Sequence, residues 1–258
     1  MESRNFNNKY VLEYQKKKVD EIKEQLCEAP KKEILMQISG QSADGEGFVL
    51  PIYEGKMNGI LELGRLDYRY IRQCIMEKDR EGGGQFSVKA EINKALKIVY
   101  YNDEVHKYYY PDMSLAENIC MSALDNICIG KRFFISKKME RVALEEFLKE
   151  LEEFNIPATN GKKSTYKELS LEQKTVAAFF RLRLSNPDLL IIEGKLILEK
   201  KLIMKLINKF LRQSTTILVI DSDQYGMLQY CSNCYAFVNE QYLGSMNQYA
   251  LTEDFAIC

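Results

Sequence analysis

The second half of the chain alternates between short apolar runs and longer segments with helical periodicity. Two runs, Leu189–Glu193 and Thr215–Ile220, consist mostly of Leu, Ile and Val, as strands buried on both faces do. Ser170–Leu184 and Glu199–Arg212 instead repeat apolar residues at the spacing of one helix face. This alternation predicts parallel strands that are covered on both faces.

The first half of the chain has a different pattern, in which strand signals follow one another with turn residues between them. Glu33–Ser39, Phe48–Tyr53 and Asn58–Leu63 are predicted strands. The region 113–167 has few strand signals and its periodicity is helical. Together the two halves predict an α/β core with antiparallel strands near its N-terminal edge and a helical insertion in the middle.

The charges of the chain nearly balance. It has 36 Lys and Arg residues against 37 Asp and Glu residues, with a net charge of −1. Because no global field favours a polyanion, we predict no nucleic-acid partner. No segment approaches the roughly 20 apolar residues that span a bilayer, and the first residues lack the apolar core of a secretory signal. We therefore predict no direct membrane insertion.

Cysteine and histidine usage narrows the compartment and the chemistry. The seven cysteines are odd in number and scattered, which is typical of reduced thiols in a cytoplasmic protein. With His106 as the single histidine, classical His-rich zinc sites are excluded. Cys231 and Cys234 have CxxC spacing, but one pair alone favours packing cysteines over a redox or zinc site. We predict no metal site.

The segment ELSLEQKTVAAFFRLRLSNPDLLIIEG, Glu168–Gly194, resembles the part of ATP-binding cassette (ABC) ATPases that runs from the signature motif to the Walker B strand. In that family an LSGGQ sequence opens a helix, and an NPD turn leads into an apolar strand with an acidic end. Here the spacing from Ser170 to Asn186-Pro187-Asp188 fits without a gap. Arg181 falls on the arginine of the family's helix.

The resemblance extends over roughly residues 33 to 246 and is greatest to the second cassette of sugar-importer ATP-binding proteins. Asp112–Ile119 resembles the MSVxEN helix start of that family, and Asn58–Met76 resembles its strand, phosphate loop and helix. The resemblance implies a P-loop NTPase-like ABC fold with an antiparallel β edge and a helical subdomain at about 112–168. Residues 1–32 are predicted as an amphipathic helix or linker, and 247–258 as a tail.

The phosphate loop of the family has lost its characteristic residues in this chain. Gapless matching places Glu62 and Asp67 at glycine positions, Tyr68 at the lysine position and Arg69 at the hydroxyl position. Carboxylates there would repel a polyphosphate, so a structural loop is the favoured interpretation. The alternative is that Arg65 and Arg69 bind some other anion.

The Walker B and signature positions are altered as well. Glu193 stands at the magnesium-holding position and Gly194 at the position of the general base. Glu193 could still offer oxygen to magnesium, but pairing with a nearby lysine is the favoured interpretation. In the signature, Ser170 and Gln173 remain while Leu171 and Glu172 replace glycines, and a simple N-cap at Ser170 is favoured over nucleotide binding. Ser222 occupies the position of the family's switch histidine.

These substitutions predict a degenerate cassette that is catalytically inactive, with no catalytic residue and no cofactor expected. Such a pseudo-ATPase would act by binding a protein: an intact ABC ATPase subunit, a membrane permease subunit or a regulator. Its location would be cytoplasmic, or peripheral to the inner face of the membrane.

Two alternatives remain open. One is an ATP-binding subunit of a sugar-type importer, in which Ser170, Gln173 and Glu193 would contact ATP and magnesium in a site shared with an intact partner. The other is an anion or ligand sensor that uses Arg65, Arg69 and the tyrosine-rich stretch around His106. That stretch, Tyr100–Tyr110, is interpreted either as an interaction surface or as a partly buried sheet edge.

Overall fold

A computed structural model describes residues 33–42, 45–63, 71–72, 75, 87–92, 95–102, 109–110, 112–121, 137–158, 165–194, 200–238 and 241–246. The chain divides into two units, Met1–Glu33 and Ile34–Cys258, and all elements below belong to the second. The predicted N-terminal helix and the tail at 247–258 lie outside the described residues.

Helices and strands alternate one by one between residues 171 and 238. The strands are β1 (Ile34–Gln41), β2 (Gly47–Tyr53), β3 (Met57–Leu63), β4 (Ser87–Ile92), β5 (Ile98–Tyr101), β6 (Leu189–Glu193), β7 (Thr216–Asp221), β8 (Asn233–Val238) and β9 (Gln241–Met246). The helices are α1 (Leu115–Cys120), α2 (Lys137–Glu153), α3 (Leu171–Leu184), α4 (Lys201–Arg212) and α5 (Gln224–Tyr230). A 3₁₀ turn at Tyr166–Glu168 precedes α3.

The main sheet has the strand order β5-β6-β7-β3-β8-β9, in which β9 is antiparallel to β8 and the other pairs are parallel. Every residue of β6 and β7 is buried. Side chains alternate across a strand, so Leu190 and Ile192 pack among the helices while Leu189 and Ile191 pack on the opposite face. This confirms the prediction of parallel strands covered on both faces.

The antiparallel strands form a sheet of their own, with the order β2-β1-β4. Its inward side chains include Ile38, Leu50 and Ile52, which share a core with Leu218 and Ile220 of β7 and with Phe237 of β8. The ring of Phe48 meets that of Phe237 edge-on, with centroids 5.3 Å apart. The antiparallel strands are therefore present as predicted, but they stack on one face of the parallel sheet because their alternate residues are apolar.

Helices cover the other face of the parallel sheet. Phe179 of α3 packs between Tyr101 of β5, at 4.4 Å, and Phe210 of α4, at 6.1 Å between ring centroids. A buried carboxylate, Glu150 of α2, pairs with Arg183 of α3 and with Lys209 of α4, whose Nζ lies 3.3 Å from Oε1. The pairing is needed because a buried, unpartnered charge would be costly. It also fixes these three helices relative to one another.

The helical insertion is described in part. Ser114 caps α1 through a reciprocal pair of hydrogen bonds with Glu117. The stretch 112–168 contains α1, α2 and the 3₁₀ turn, whereas 122–136 and 159–164 lie outside the described residues. The limits of a helical subdomain therefore stay a prediction.

A buried asparagine joins the turn after β2 to the parallel sheet. Asn58 accepts a hydrogen bond from the Tyr53 N–H at 3.0 Å and donates to the carbonyl of Tyr53 at 3.1 Å and to that of Ile217 at 3.4 Å. Gly55 has a φ of 63° at the tip of this turn, and its N–H donates to the Thr216 hydroxyl at 2.9 Å. The Asn58 amide therefore joins β2 to β3 and β7 by hydrogen bonds.

Replacing Asn58 with alanine should lower the free energy of unfolding by about 2 to 4 kcal/mol, since the buried amide makes hydrogen bonds to the backbone of Tyr53 and Ile217 that are lost together. Urea unfolding followed by circular dichroism measures this change. The exposed Asn208 on α4 provides a matched control, because Asn208→Ala removes an amide in solvent. A loss below about 0.5 kcal/mol in Asn58→Ala would contradict the role given to this amide.

Candidate functional site

The acidic end of β6 lies in a closed polar cluster. The Glu193 Oε2 atom accepts a hydrogen bond from the Tyr100 hydroxyl and another from Arg72 Nη1, at 3.1 Å. Arg72 Nη1 also donates to the Tyr100 hydroxyl at 2.7 Å, and its guanidinium lies 4.8 Å from the centroid of the Tyr100 ring. Glu193 is only 8% exposed, so these two groups supply its polar contacts where water has little access.

The sheet explains why these residues meet. Tyr100 of β5 is paired with Ile191 of β6, and Glu193, two residues further along, shares the face of Ile191. Arg72 belongs to the helical turn described at 71–72, which follows β3 in the chain. Burial and the hydrogen bond to Glu193 raise the pKa of Tyr100, so its hydroxyl remains a proton donor near neutral pH.

Sequence reasoning anticipated a cation beside Glu193 but named the wrong residue type. The partner is Arg72 rather than a lysine, and the tyrosine was not anticipated at all. Arg72 lies 121 residues away along the chain, and no local signal links two such distant positions. In this arrangement the Oε2 atom of Glu193 does not suit a magnesium ion, because an ion bound to it would meet the positive guanidinium at contact distance.

The residue that follows β6 cannot act as an acid, a base or a ligand through a side chain. Gly194 has no side chain, and its N–H donates to the carbonyl of Ile220 at 3.3 Å. At the end of the neighbouring β7, Asp221 Oδ1 accepts hydrogen bonds from the backbone N–H groups of Ser222 and Asp223 at 2.6 and 3.2 Å. Ser222, at the position of the family's switch histidine, is exposed. The Asp221 carboxylate therefore stabilises the turn that follows β7.

Asp223 is a buried acid that sequence reasoning did not single out. Its Oδ1 caps α5 by accepting from the Gly226 N–H at 2.9 Å, while Oδ2 is buried without a hydrogen-bond partner among the described residues. The signal for the cap was present, since Asp is a favoured N-cap residue before a helix. Its degree of burial could not be read from the sequence.

The retained signature residues form a helix start, as the favoured interpretation predicts. The Ser170 hydroxyl accepts from the Gln173 N–H at 3.2 Å, and the Ser170 N–H donates to Gln173 Oε1 at 2.8 Å. Gln173 also donates through Nε2 to the carbonyl of Pro157 at 2.7 Å. Both the oxygen and the nitrogen of the Gln173 side-chain amide are therefore hydrogen-bonded. Leu171, in the first turn of the same helix, is 72% exposed.

The structure therefore separates the three candidate nucleotide contacts into two groups. Glu193 contacts Arg72 and Tyr100, whereas Ser170 and Gln173 contact each other and the loop after α2. Within the described part of the chain, no hydrogen bond or ion pair joins the groups. Of the phosphate loop, Glu62 lies in β3, while Arg65, Asp67, Tyr68 and Arg69 lie outside the described residues.

Of the four described tyrosines in the stretch Tyr100–Tyr110, two are buried in the core. Tyr109 stacks on Tyr166 with ring centroids 3.7 Å apart, and the Arg181 guanidinium lies 5.0 Å from the Tyr109 ring. Tyr101 is also buried, and Tyr110 is 53% exposed. Because β5 is at the end of the sheet order, these residues agree with the partly buried sheet edge. His106 and Tyr108 lie outside the described residues.

The CxxC cysteines are packing residues. Cys231 and Cys234 are buried, and Cys231 Sγ lies 3.6 Å from Met227 Sδ. A Cβ added to Gly59 would come within 2.9 Å of Cys231 Sγ, so α5 and β3 approach closely here. Burial raises the pKa of both thiols, that of Cys234 to about 12. Among the described residues, no group of three or more His, Cys, Asp or Glu side chains could hold a metal ion.

Comparison with known proteins identifies the fold. No protein-family model matches the chain, and no curated protein matches it. Solved structures do match it, among them ATP-binding cassettes of ABC transporters. The α/β architecture is therefore that of an ABC transporter cassette.

Three of these structures illustrate the likeness. The dimeric bacterial cassette MJ0796 is 16% identical, with 82% of this chain and 98% of that chain covered and a TM-score of 0.57. The cassette cbiO1 from Clostridium perfringens, part of the complex cbiONQ, is 15% identical over 84% and 89%, with a TM-score of 0.58. The ADP conformation of MJ1267 is 15% identical over 84% and 92%, with a TM-score of 0.57. No described helix is both long and apolar enough to cross a membrane.

Replacing Gln173 with alanine should lower the free energy of unfolding by about 1 to 2 kcal/mol, since the Ser170 N–H and the Pro157 carbonyl both lose a partner. Urea unfolding measures the loss. Gln213→Ala, at an exposed position after α4, is the matched control and should change stability by less than about 0.5 kcal/mol. Equal stability of the two variants would show that the Gln173 side chain is not committed to the fold.

Proposed function

We propose that this chain is a cassette-type subunit that does not hydrolyse ATP and acts by binding another protein. The observation that carries the proposal is the end of β6, where Glu193 is neutralised by Arg72 and Gly194 has no side chain. The fold supports a cassette, while these two positions lack the groups that hydrolysis requires.

The missing base weighs most against hydrolysis. An attacking water needs a group that accepts its proton, and such a base contributes about 10²- to 10⁴-fold to a rate. Gly194 cannot supply one. The nearby Asp221 does not replace it, because its Oδ1 accepts from two backbone N–H groups in the turn that follows β7.

The surface at the start of α3 suits a protein partner better than a phosphate. Leu171 exposes 72% of its surface and Glu172 is also exposed, directly at the helix N-terminus. A large apolar side chain in solvent gains free energy by burial in an interface, whereas beside a phosphate it offers no hydrogen bond. The start of α3 is therefore our proposed contact region.

Two of the solved relatives guide the choice of partner. MJ0796 is dimeric, and cbiO1 is part of the complex cbiONQ. By analogy we propose that this chain pairs with an intact cassette, a membrane permease subunit or a regulator, on the cytoplasmic side of a membrane.

The alternative function is a nucleotide-binding subunit of a sugar-type importer. It is favoured by the N-cap geometry of Ser170, since a helix N-terminus suits an anion, and by relatives solved with ADP. In this alternative Ser170 and Gln173 would contact ATP held by an intact partner, and Gln173 would have to release Pro157. The sugar specificity rests on the sequence resemblance alone.

Calorimetric titration of the full chain with ATP and magnesium tests the loss of nucleotide chemistry. We expect no binding heat at millimolar nucleotide and no phosphate release, because the carboxylate and base positions are unavailable. A non-hydrolysable ATP analogue is the control for heat of turnover. Micromolar binding, or magnesium-dependent turnover that Glu193→Ala abolishes, would overturn the proposal.

Affinity purification of the tagged full chain from its own host tests the contact region. We expect Leu171→Glu to reduce recovery of the partner at least about tenfold, the equivalent of 1.4 kcal/mol. Val142→Glu, at an exposed apolar position on α2, is the matched control and should retain the partner. Equal recovery with both variants would contradict the placement of the interface. If the recovered complex hydrolyses ATP, a rate lowered by Ser170→Ala would favour the alternative function.

A further inference from the structure

In the cluster of Arg72, Tyr100 and Glu193, the guanidinium of the arginine is the counter-ion of the carboxylate. The Arg72 side chain is 24% exposed and that of Glu193 is 10% exposed, so the ion pair lies mostly inside the protein. Glu193 has no other ion pair among the described residues. A carboxylate at this depth needs a positive charge and hydrogen bonds, or burial would strongly disfavour its ionised form.

The tyrosine makes the cluster specific for a guanidinium. Its hydroxyl donates to Glu193 and accepts from Arg72, and its ring lies 4.8 Å from the guanidinium carbon. A planar guanidinium can donate at its edge and contact an aromatic ring with its face at the same time. The three groups therefore satisfy one another without any bound species.

We propose that Arg72 is a built-in cation that takes the place of a divalent metal at Glu193. The stability of the protein should then be independent of divalent cations while Arg72 is present. Removal of the guanidinium should convert Glu193 into a weak site for a hard divalent cation, because carboxylate oxygen is the ligand such ions prefer. This inference rests on the same Glu193–Arg72 pair as the proposed function, but its test involves neither a nucleotide nor a partner protein, so a failure of either can be told apart.

The test compares thermal unfolding of the full chain and its variants in EDTA and then with an excess of Mn²⁺. We expect Mn²⁺ to leave the wild-type midpoint unchanged. Arg72→Gln should lower the midpoint by about 3 to 8 °C, and Mn²⁺ should restore at least half of that loss. Electron paramagnetic resonance should show one bound Mn²⁺ in Arg72→Gln, and none in the wild type or in the double variant Arg72→Gln/Glu193→Gln.

Two further variants complete the design. Arg141→Gln is the matched control, because Arg141 forms an exposed pair with Glu145 at 3.8 Å and its loss should change neither the midpoint nor Mn²⁺ binding. Tyr100→Phe removes the hydroxyl and keeps the ion pair, so it should bind no Mn²⁺. It also serves as the informative variant if Arg72→Gln does not fold.

Several results would overturn the inference. The first is Mn²⁺ binding to the wild type that Glu193→Gln abolishes, since the metal would then displace Arg72. The second is Mn²⁺ binding to Tyr100→Phe while Arg72 is intact. The third is an Arg72→Gln variant that is folded and less stable but insensitive to Mn²⁺, which would make Arg72 a structural partner only.

Discussion

The structure depends on covering both faces of its parallel sheet. The strands β6 and β7 are buried at every residue, so each must find apolar cover on two sides. The helices supply one side, and the separate antiparallel sheet supplies the other. This arrangement brings β1 and β2 against strands that follow them by more than a hundred residues in the chain. It also buries the acidic residues at the ends of the central strands, Glu193 and Asp221.

Burial then determines which polar groups must meet. Asn58, Glu150 and Glu193 are all buried, and each is satisfied by groups distant in sequence. Leaving any of them without a partner would cost more than a typical surface contact contributes. Asn58 links the two sheets, Glu150 links the helices α2, α3 and α4, and Glu193 links β6 to Tyr100 of β5 and to Arg72. The pairing of these polar groups is thus a consequence of how the apolar faces pack.

The cassette fold and its chemistry are separable in this chain. The architecture matches ABC transporter cassettes at identities of 12% to 16%, while the positions that would serve catalysis make internal contacts. Glu193 binds an arginine, Gln173 closes a helix start, and Asp221 shapes a turn. Each of these three side chains thus contributes to folding.

The sequence by itself determined the elements whose cause is local. Strand β6, helix α3 and the N-cap at Ser170 follow from periodicity and from side chains that reach backbone groups within one turn. Only the tertiary structure decided that the antiparallel strands form a stacked sheet and that Arg72 is the partner of Glu193. These outcomes depend on which distant surfaces bury one another. A pattern read along the chain records how apolar a face is, but it does not record which other face covers it.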